Sequence, residues 1–318
     1  MDPLSDLLHS VRLNGAFFYL SEGVHPWSAV VLPARELRPR VLPASEHLIC
    51  YHIVLSGSCW GSTEGEQQLR LETGDAIVFP HGDAHFVSSA EGQRTRDDVY
   101  RSAPNRPLDV VRMGPTAGPR TTLICGYLGC DARPFNPLLA SLPRTLHARG
   151  ITKGWLSAFP TQVMAESRHP CAGGSSMLTR MAELMFVEVI RQYVATLPPT
   201  QTGWLAGLRD PVVAAALALL HGDPGRAWTL PELAREAVTS RTVLIERFTT
   251  LIGMPPMQYL TQWRLQRASE RLVTGSDKIA AIAAEVGYES EAAFSRAFKR
   301  ITGCSPAAWR RSRRHDAA

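Results

Sequence analysis

Three side chains have the residue types and spacing of a ligand set. Cys50 and His52 stand two apart in Cys50-Tyr51-His52, so on a strand they point to one face. His85 closes the run Gly74-Asp75-Ala76-Ile77-Val78-Phe79-Pro80-His81-Gly82-Asp83-Ala84-His85. An apolar strand is followed there by a Pro/Gly turn that sends the chain back. Together the three make a Cys/His/His set suited to a zinc-like or copper-like ion, with His47 and His81 as reserve ligands. Two other uses fit the same residues. The histidines can be hydrogen-bonded in an interior or lie against an organic effector, and Cys50 can be a small buried hydrophobe. No paired carboxylates, P-loop or nucleophile elbow stands out, and Gly173-Gly174-Ser175-Ser176 reads as a linker. These absences point away from an enzyme.

A second chemistry lies in the charge. The net charge of +5 is mild for 318 residues, but it is not spread evenly. Residues 1–208 hold 18 basic and 18 acidic side chains, whereas residues 209–318 hold 16 and 11. A neutral body with a basic last third implies a polyanion partner for that third. Hydrophobic content of 45% and charged content of 20% are ordinary for a globular chain, which argues against a disordered or fibrous one. The longest apolar run, Val212–Leu220, has nine residues and is far short of the ~20 that span a bilayer. The start, MDPLSDLL, has no basic region before an apolar one, and six cysteines in a chain this long are no disulfide framework. The expectation is a cytoplasmic protein with no membrane partner.

The elements that must position these groups fall into an α+β pattern. Tyr51–Leu55, Ala76–Pro80 and Thr121–Leu128 read as strands between turn clusters such as Gly74-Asp75, and strands at this spacing predict a sandwich or barrel. Residues 91–120, polar and rich in Pro and Gly, read as a mobile insertion. Over 175–197 the period becomes helical. Leu178, Met181, Ala182, Met185 and Val189 form one stripe, and Phe186, Ile190, Tyr193 and Leu197 a second beside it. So wide an apolar arc implies burial on two sides, against the β domain and either a partner subunit or the same chain. Residues 198–210, with Pro198-Pro199 and Gly203, read as a linker. The resulting domains are 1–130 (β), 131–208 (helical linker and dimerisation segment) and 209–314 (helical).

The last domain contains a repeat. Leu233, Ala234 and Ala237, then Ser240, Leu244, Phe248 and Gly253, correspond to Ile282, Ala283 and Val286, then Ser290, Phe294, Phe298 and Gly303. Each serine is placed as an N-cap, the residues at +4 and +8 face a core, and each glycine fits the helix C′ position. Thr229-x-x-Glu232 reads as a capping box. Each copy is therefore helix, tight turn, helix, the arrangement that sets its second helix in a DNA major groove. A helix over about 257–273 joins the copies, with Leu265, Ala268 and Leu272 on one face and Arg264, Arg267 and Arg271 on another.

The stretch Gly287-Tyr288-Glu289-Ser290-Glu291-Ala292-Ala293-Phe294-Ser295-Arg296-Ala297-Phe298-Lys299-Arg300, with Gly303-Cys304-Ser305-Pro306-Ala307-Ala308-Trp309-Arg310, resembles the C-terminal signature of AraC/XylS-type transcriptional regulators. The resemblance reaches back to about Trp228. It implies two helix-turn-helix units reading successive major grooves of double-stranded DNA. It places Glu291, Ala292, Ser295 and Arg296 of the second unit, and Arg241, Thr242, Ile245 and Glu246 of the first, towards the bases, with Lys299, Arg300, Arg310 and Arg311 on phosphates. The first unit departs from the pattern twice. Its turn carries Val238 where the family usually has Gly, and Glu246 stands where an Arg is common. The second unit is therefore expected to supply more of the phosphate-dependent affinity.

The run from Gly74 to His85 fits the second cupin motif, G-x5-P-x-G-x2-H, and so resembles a cupin-type β-barrel. The first cupin motif is half present: Cys50-Tyr51-His52 replaces His-x-His, and Ser56 stands near the usual Glu. The N-terminal 200 residues are also similar to the cupin sensor of one AraC-type branch, through Asp2-Pro3-Leu4-Ser5, His52-x-Val54-x-x-Gly57-x-x-Trp60, the PHGDAH turn and Cys125-Gly126. Some members of that branch respond to oxidants through cysteines, and Cys125 is the candidate here. The resemblance implies a homodimeric regulator that binds a small molecule, a divalent or copper ion, or an oxidant, and meets RNA polymerase if it activates. The alternative is a cupin metalloenzyme of dioxygenase type fused to a DNA-binding domain, which the missing Glu disfavours.

Overall fold

The computed structural model describes residues 2–11, 13–93, 107–131, 134–198 and 200–315. Residues 94–106 of the expected insertion lie outside them. Among the described residues the strands are β1 (Leu13–Val24), β2 (Ser28–Val31), β3 (His47–Ser56), β4 (Ser58–Thr63), β5 (Leu69–Glu72), β6 (Ala76–Phe79), β7 (His85–Ser88), β8 (Val110–Met113), β9 (Arg120–Cys130) and β10 (Leu146–Ala148). The helices used below are α1 (Pro3–Val11), α2 (Ala34–Val41), α3 (Pro137–Ser141), α4 (Ala158–Arg168), α5 (Gly174–Thr196), α6 (Trp204–Gly207), α7 (Pro211–Gly222), α8 (Leu230–Glu236), α9 (Arg241–Ile252), α10 (Pro256–Thr274), α11 (Ile279–Glu285), α12 (Glu291–Thr302) and α13 (Pro306–His315).

Contacts divide the chain into two units. The β unit is Leu13–Asp131 with Leu142–Thr196, and the helical unit is Met1–Arg12, Ala132–Ser141 and Leu197–Ala318. The expected middle segment 131–208 is thus shared out between them. The reason is burial. Within residues 142–196, β10 pairs into the larger sheet and α5 packs on β1 and β10, whereas α3 and α6 pack on each other in the helical unit.

The β unit has a six-stranded sheet in the order β10-β6-β3-β9-β1-β8 and a four-stranded sheet in the order β2-β7-β4-β5. One apolar cluster joins their facing sides, including Tyr19, Val54, Phe79 and Leu123 from the first sheet and Val31 and Val87 from the second. β3 is buried on both faces from Leu48 to Val54, so it reads as a near-continuous apolar run rather than an alternating one. β8 arises inside the expected insertion and pairs parallel with β1.

Helix α5 packs on β1, β10 and α4. It buries Leu178, Ala182, Met185, Phe186, Val189 and Ile190, so both stripes serve one intramolecular face. On its other side Met177 and Leu184 remain 40% and 48% exposed.

In the helical unit the local signals appear as spaced. Thr229 and Glu232 form the reciprocal capping box. Ser240 accepts from Val243 N and Ser290 from Ala293 N. Gly253 and Gly303 close α9 and α12 with φ of 81° and 80°. The two turns share one hydrogen-bond pattern: Val238 N to Arg235 O and Thr239 N to Ala234 O, and Gly287 N to Ala284 O and Tyr288 N to Ala283 O. Both need a left-handed residue. Gly287 supplies it at φ 83°, and Val238 adopts it at φ 54° despite its branched Cβ. Val238 is 90% exposed, so nothing crowds the side chain in that conformation. Val238→Gly is expected to raise stability by about 1 kcal/mol. It releases ~1–2 kcal/mol of backbone strain, and glycine's extra freedom in the unfolded chain offsets ~0.4–1 kcal/mol of that. The urea midpoint of the variant reads this, and an unchanged or lower midpoint would show the valine turn to be unstrained.

The expected linker 198–210 instead contains α6, whose Trp204 is buried. Its indole Nε1 donates to Tyr259 Oη at 2.8 Å, and His221 Nε2 lies 2.7 Å from the same hydroxyl. The His221 ring stacks on Trp263 at 3.9 Å.

Candidate functional site

His52 lies on β3 in register with Cys125 of β9, and its side chain enters the space between the sheets. His85 opens β7 in the other sheet. The rings meet across the interior, with Nε2 to Nε2 at 2.9 Å. His52 Nδ1 is 2.9 Å from Cys125 Sγ, and Ser21 Oγ of β1 is 3.4 Å from the same sulfur. His85 Nδ1 donates to the Asp83 carbonyl at 2.9 Å, and its ring stacks on Phe79 at 3.7 Å. A polar file, Ser21–Cys125–His52–His85–Asp83, therefore crosses an otherwise apolar core. Burial holds it uncharged. It lowers His52 to about 4, takes His85 well below the usual imidazole range, and pushes the Cys125 thiol up to about 12 against the opposing Ser21 and Tyr19 hydroxyls. Beside the file is a cavity of about 20 Å³, lined among others by Tyr19, Ser21, His52, Val87, Met113 and Cys125.

The other expected ligands lie elsewhere. Cys50 shares the interior face with His52 but stands opposite Phe79 and Tyr127, a fully buried thiol whose pKa burial raises. His47 Nε2 donates to Pro80 O at 2.7 Å and His81 Nε2 to Leu142 O at 2.9 Å. Both line a separate surface groove with Arg35, Arg38, Asp83 and Arg144. Only His52 and His85 converge through Nε2. Cys125 meets the opposite nitrogen of His52, so one ion cannot take all three. Among the described residues no group of three His, Cys, Asp or Glu is arranged to hold a metal, and the donor set does not fit a zinc-like or copper-like ion.

The second surface is built by α9 and α12. Leu244 and Phe248 anchor α9, and Phe294 and Phe298 anchor α12, as the +4 and +8 spacing requires. Arg241, Thr242, Ile245 and Glu246 are exposed on α9. On α12, Glu291, Ala292, Arg296, Lys299 and Arg300 are exposed and Ser295 is half-buried. Many of the nearby cations are already engaged. Arg247 pairs with Asp210, Arg226 with Glu236, Arg267 with Glu270, and Arg271 with Asp277 and Glu285. Arg310 donates to Leu272 O and Asp277 O, a structural use rather than the phosphate contact expected of it. Arg296, Lys299 and Arg300 form no salt bridge with any described residue and project their charge outward.

The chain matches a cupin family model over residues 2–195 and a helix-turn-helix domain model over residues 233–312. It is 32% identical to an AraC-like transcription regulator of Streptomyces antibioticus, covering 98% of this chain and 99% of that one. The chain belongs to the AraC family of transcriptional regulators. This AraC-type regulator is also 28% identical to the HTH-type transcriptional regulator AlkR of Acinetobacter baylyi, over 98% and 99% of the two chains. Over 33% of its length it is similar to the DNA-binding domain of AdpA, crystallised with a target DNA, at 30% identity and a TM-score of 0.32. Family membership and the helix-turn-helix model over residues 233–312 make the chain a DNA-binding regulator rather than an enzyme. No helix among its described residues is long and apolar enough to cross a membrane.

Two features of this regulator were not legible in the sequence. Ser21 and Tyr19 join Cys125 only through the pairing of β1 with β9, where Tyr19 stands opposite Cys125. Alternation along β1 shows which face they share, but not what they meet. Arg264, expected on a basic helix face, is half-buried and donates to Pro224 O at 2.7 Å, Arg226 O at 2.7 Å and Gly287 O at 3.3 Å. It ties the second turn to the loop before α8.

Proposed function

We propose that the cavity between the cupin sheets is the sensing site, and that its occupation changes how the sheets pack on α5 and so resets DNA binding in a homodimer. The observation that carries this reading is the file Ser21–Cys125–His52–His85. Five polar groups with Tyr19 sit in a core where a sequence built only for packing would place aliphatic side chains, and a cavity lies against them. The exposed Met177 and Leu184 on the outer side of α5 support that side as the dimer surface. A coupling of ~1–3 kcal/mol between site and operator would be enough to switch occupancy, by recruiting or releasing RNA polymerase.

On DNA, the second unit supplies most of the phosphate-dependent grip, because Arg296, Lys299 and Arg300 are unpaired while α9 presents Glu246. Selection of bound duplexes from a random pool by the full chain tests this. The expected site has two contacted elements about one helical turn apart, duplicated if the protein binds as a dimer. Arg296→Ala should weaken binding by about tenfold or more, and Glu246→Ala should not weaken it. Removing Arg296, Lys299 and Arg300 together should flatten the dependence of log K on log salt by roughly 2–3. An unchanged slope would place the phosphate contacts elsewhere.

A further inference from the structure

The second helices of the two helix-turn-helix units carry opposite chemistry on one scaffold. α9 and α12 share an N-cap serine, buried residues at +4 and +8, and a left-handed glycine at the end. With the offset of 50 residues, Arg241, Thr242, Ile245 and Glu246 of α9 correspond to Glu291, Ala292, Ser295 and Arg296 of α12. The helical period sets Arg241 and Ile245 in one row of the outer face, and Thr242 and Glu246 in the row beside it. Where α12 has a small hydroxyl and a guanidinium, α9 has a branched aliphatic and a carboxylate.

The fold uses neither Ile245 nor Glu246. Glu246 is exposed and forms no hydrogen bond or salt bridge with any described residue. Ile245 is 39% exposed, and among the described residues of the helical unit only Val238 is another large hydrophobic so placed. Arg247, the last cation of α9, is held by Asp210 at 3.1 Å. Among the described residues of α9, this leaves Arg241 alone to meet a phosphate. Such a face gains little from the DNA backbone, which repels the carboxylate, so base edges must satisfy it. In the major groove the donors are cytosine N4 and adenine N6. Adenine sets its N7 acceptor beside the donor, against the second carboxylate oxygen, whereas cytosine shows the donor alone. For an aliphatic side chain the groove offers one apolar partner, the thymine methyl.

We infer that α9 is a pyrimidine reader, in which Glu246 accepts from N4 of a cytosine and Ile245 packs on the methyl of a neighbouring thymine. The inference rests on the reading of α9 and α12 as the two helices that contact DNA. It divides their labour. Arg296 seeks acceptors, which every phosphate and every guanine supply, so α12 grips many sequences. Glu246 rejects most of them, because opposite guanine O6 and N7 or thymine O4 its charge meets only acceptors. A desolvated charge left without a donor costs more than a missing contact, so the penalty rather than the gain carries the discrimination.

The test uses the full chain and the duplex it selects from a random pool. One element of that duplex is expected to hold a C·G pair with a T·A pair beside it. Replacing the C·G pair by T·A should weaken wild-type binding by about tenfold or more, whereas Glu246→Ala should bind the two duplexes within about twofold of each other. Selection with Glu246→Gln should exchange the cytosine for adenine, since an amide matches both the donor and the acceptor of the adenine edge. Deoxyuridine in place of the thymine removes only a methyl. It should cost the wild-type chain about fourfold in affinity and Ile245→Ser nothing. Both side chains are exposed, so the variants should keep the wild-type urea midpoint. If Glu246→Gln selects the same base as the wild type, or deoxyuridine costs both chains equally, the inference is overturned, and a duplex with two contacted elements leaves the two-helix reading standing. A duplex with one contacted element, altered by Arg296→Ala alone, overturns both.

Discussion

Gly287→Ala is expected to destabilise the second helix-turn-helix unit by about 3 kcal/mol, and Gly287→Val by about 4 kcal/mol. Val238 makes this comparison informative, since the equivalent turn already carries a valine. The backbone strain is shared by both turns, at φ 83° and 54°. The space is not. A Cβ on Gly287 would lie 2.6 Å from the Gly225 carbonyl oxygen and 2.7 Å from Arg264 Nη2. The carbonyl is backbone and cannot swing away. The guanidinium can yield only by releasing the carbonyls of Pro224, Arg226 and Gly287. Charge-assisted hydrogen bonds of this kind are worth ~1.5–3 kcal/mol, to which ~1–2 kcal/mol of strain is added. The urea midpoint and operator affinity of the full chain should both fall. Lysine at Arg264 cannot span three carbonyls and should not substitute for it. A cost below about 1 kcal/mol for Gly287→Ala would show that the Arg264 clamp adapts freely.

The cupin domain should lose stability steeply as the pH falls below 6.5. His52 has its pKa lowered to about 4 and His85 is lowered well below the ordinary value, both by burial. In the unfolded chain each protonates near 6.5. Below that pH the unfolded state binds protons that the folded state refuses, so stability is full above 6.5 and is lost on acidification down to the folded pKa. Each histidine contributes about 1.4 kcal/mol per pH unit, so the pair gives a slope near 2.7 kcal/mol per unit. From pH 6.5 to 5 the loss is roughly 4 kcal/mol, a large share of a domain's usual 5–15 kcal/mol. His221, lowered by burial to about 3, adds one histidine's slope of the same sign in the helical unit. Urea midpoints measured from pH 7 to 5 read this, and His52→Gln should remove about half of the cupin slope. Midpoints that stay flat over that range would mean that the file is already charged or hydrated in the folded protein.

The helix-turn-helix units were legible because their signals act over a few residues. Ser240, Ser290, Gly253 and Gly303 each satisfy backbone groups within one turn of themselves. The capping box at Thr229 and the +4, +8 core spacing work over the same range. Val238 shows the limit of such reading. Its conformation followed from the pattern of the turn, but whether it is tolerated depended on what lies outside the turn, and there it meets solvent while Gly287 meets Arg264.

The cupin site was legible only in part. His52 and His85 were visible as candidates and do meet. Cys50 and His81 carried the same chemical types and go elsewhere, because strand register and the course of the Pro80–Gly82 turn decide which ring crosses the interior. Cys125 was a candidate through the family resemblance alone, and its pairing with His52 depends on β3 and β9 being neighbours. The segment 198–210 looked like a linker because Pro198-Pro199 and Gly203 punctuate it, yet Trp204 in it completes a buried network with Tyr259 and His221.

By itself, then, the sequence determined the elements, their caps, the doubled DNA-reading unit and the concentration of positive charge in the last third. All of these are set by interactions between residues within a turn or two of each other, or by composition. Tertiary structure decided which charges are free and which side chains become a site. Arg264 and Arg271 are indistinguishable from Arg296 as residues, but partners brought in from other segments bury or neutralise the first two and leave Arg296 to face outward. A buried polar file forms when two strands and a second sheet place two imidazoles in line with a thiol. Those contacts join residues 33 and 73 positions apart, and only the packing of the sheets determines them.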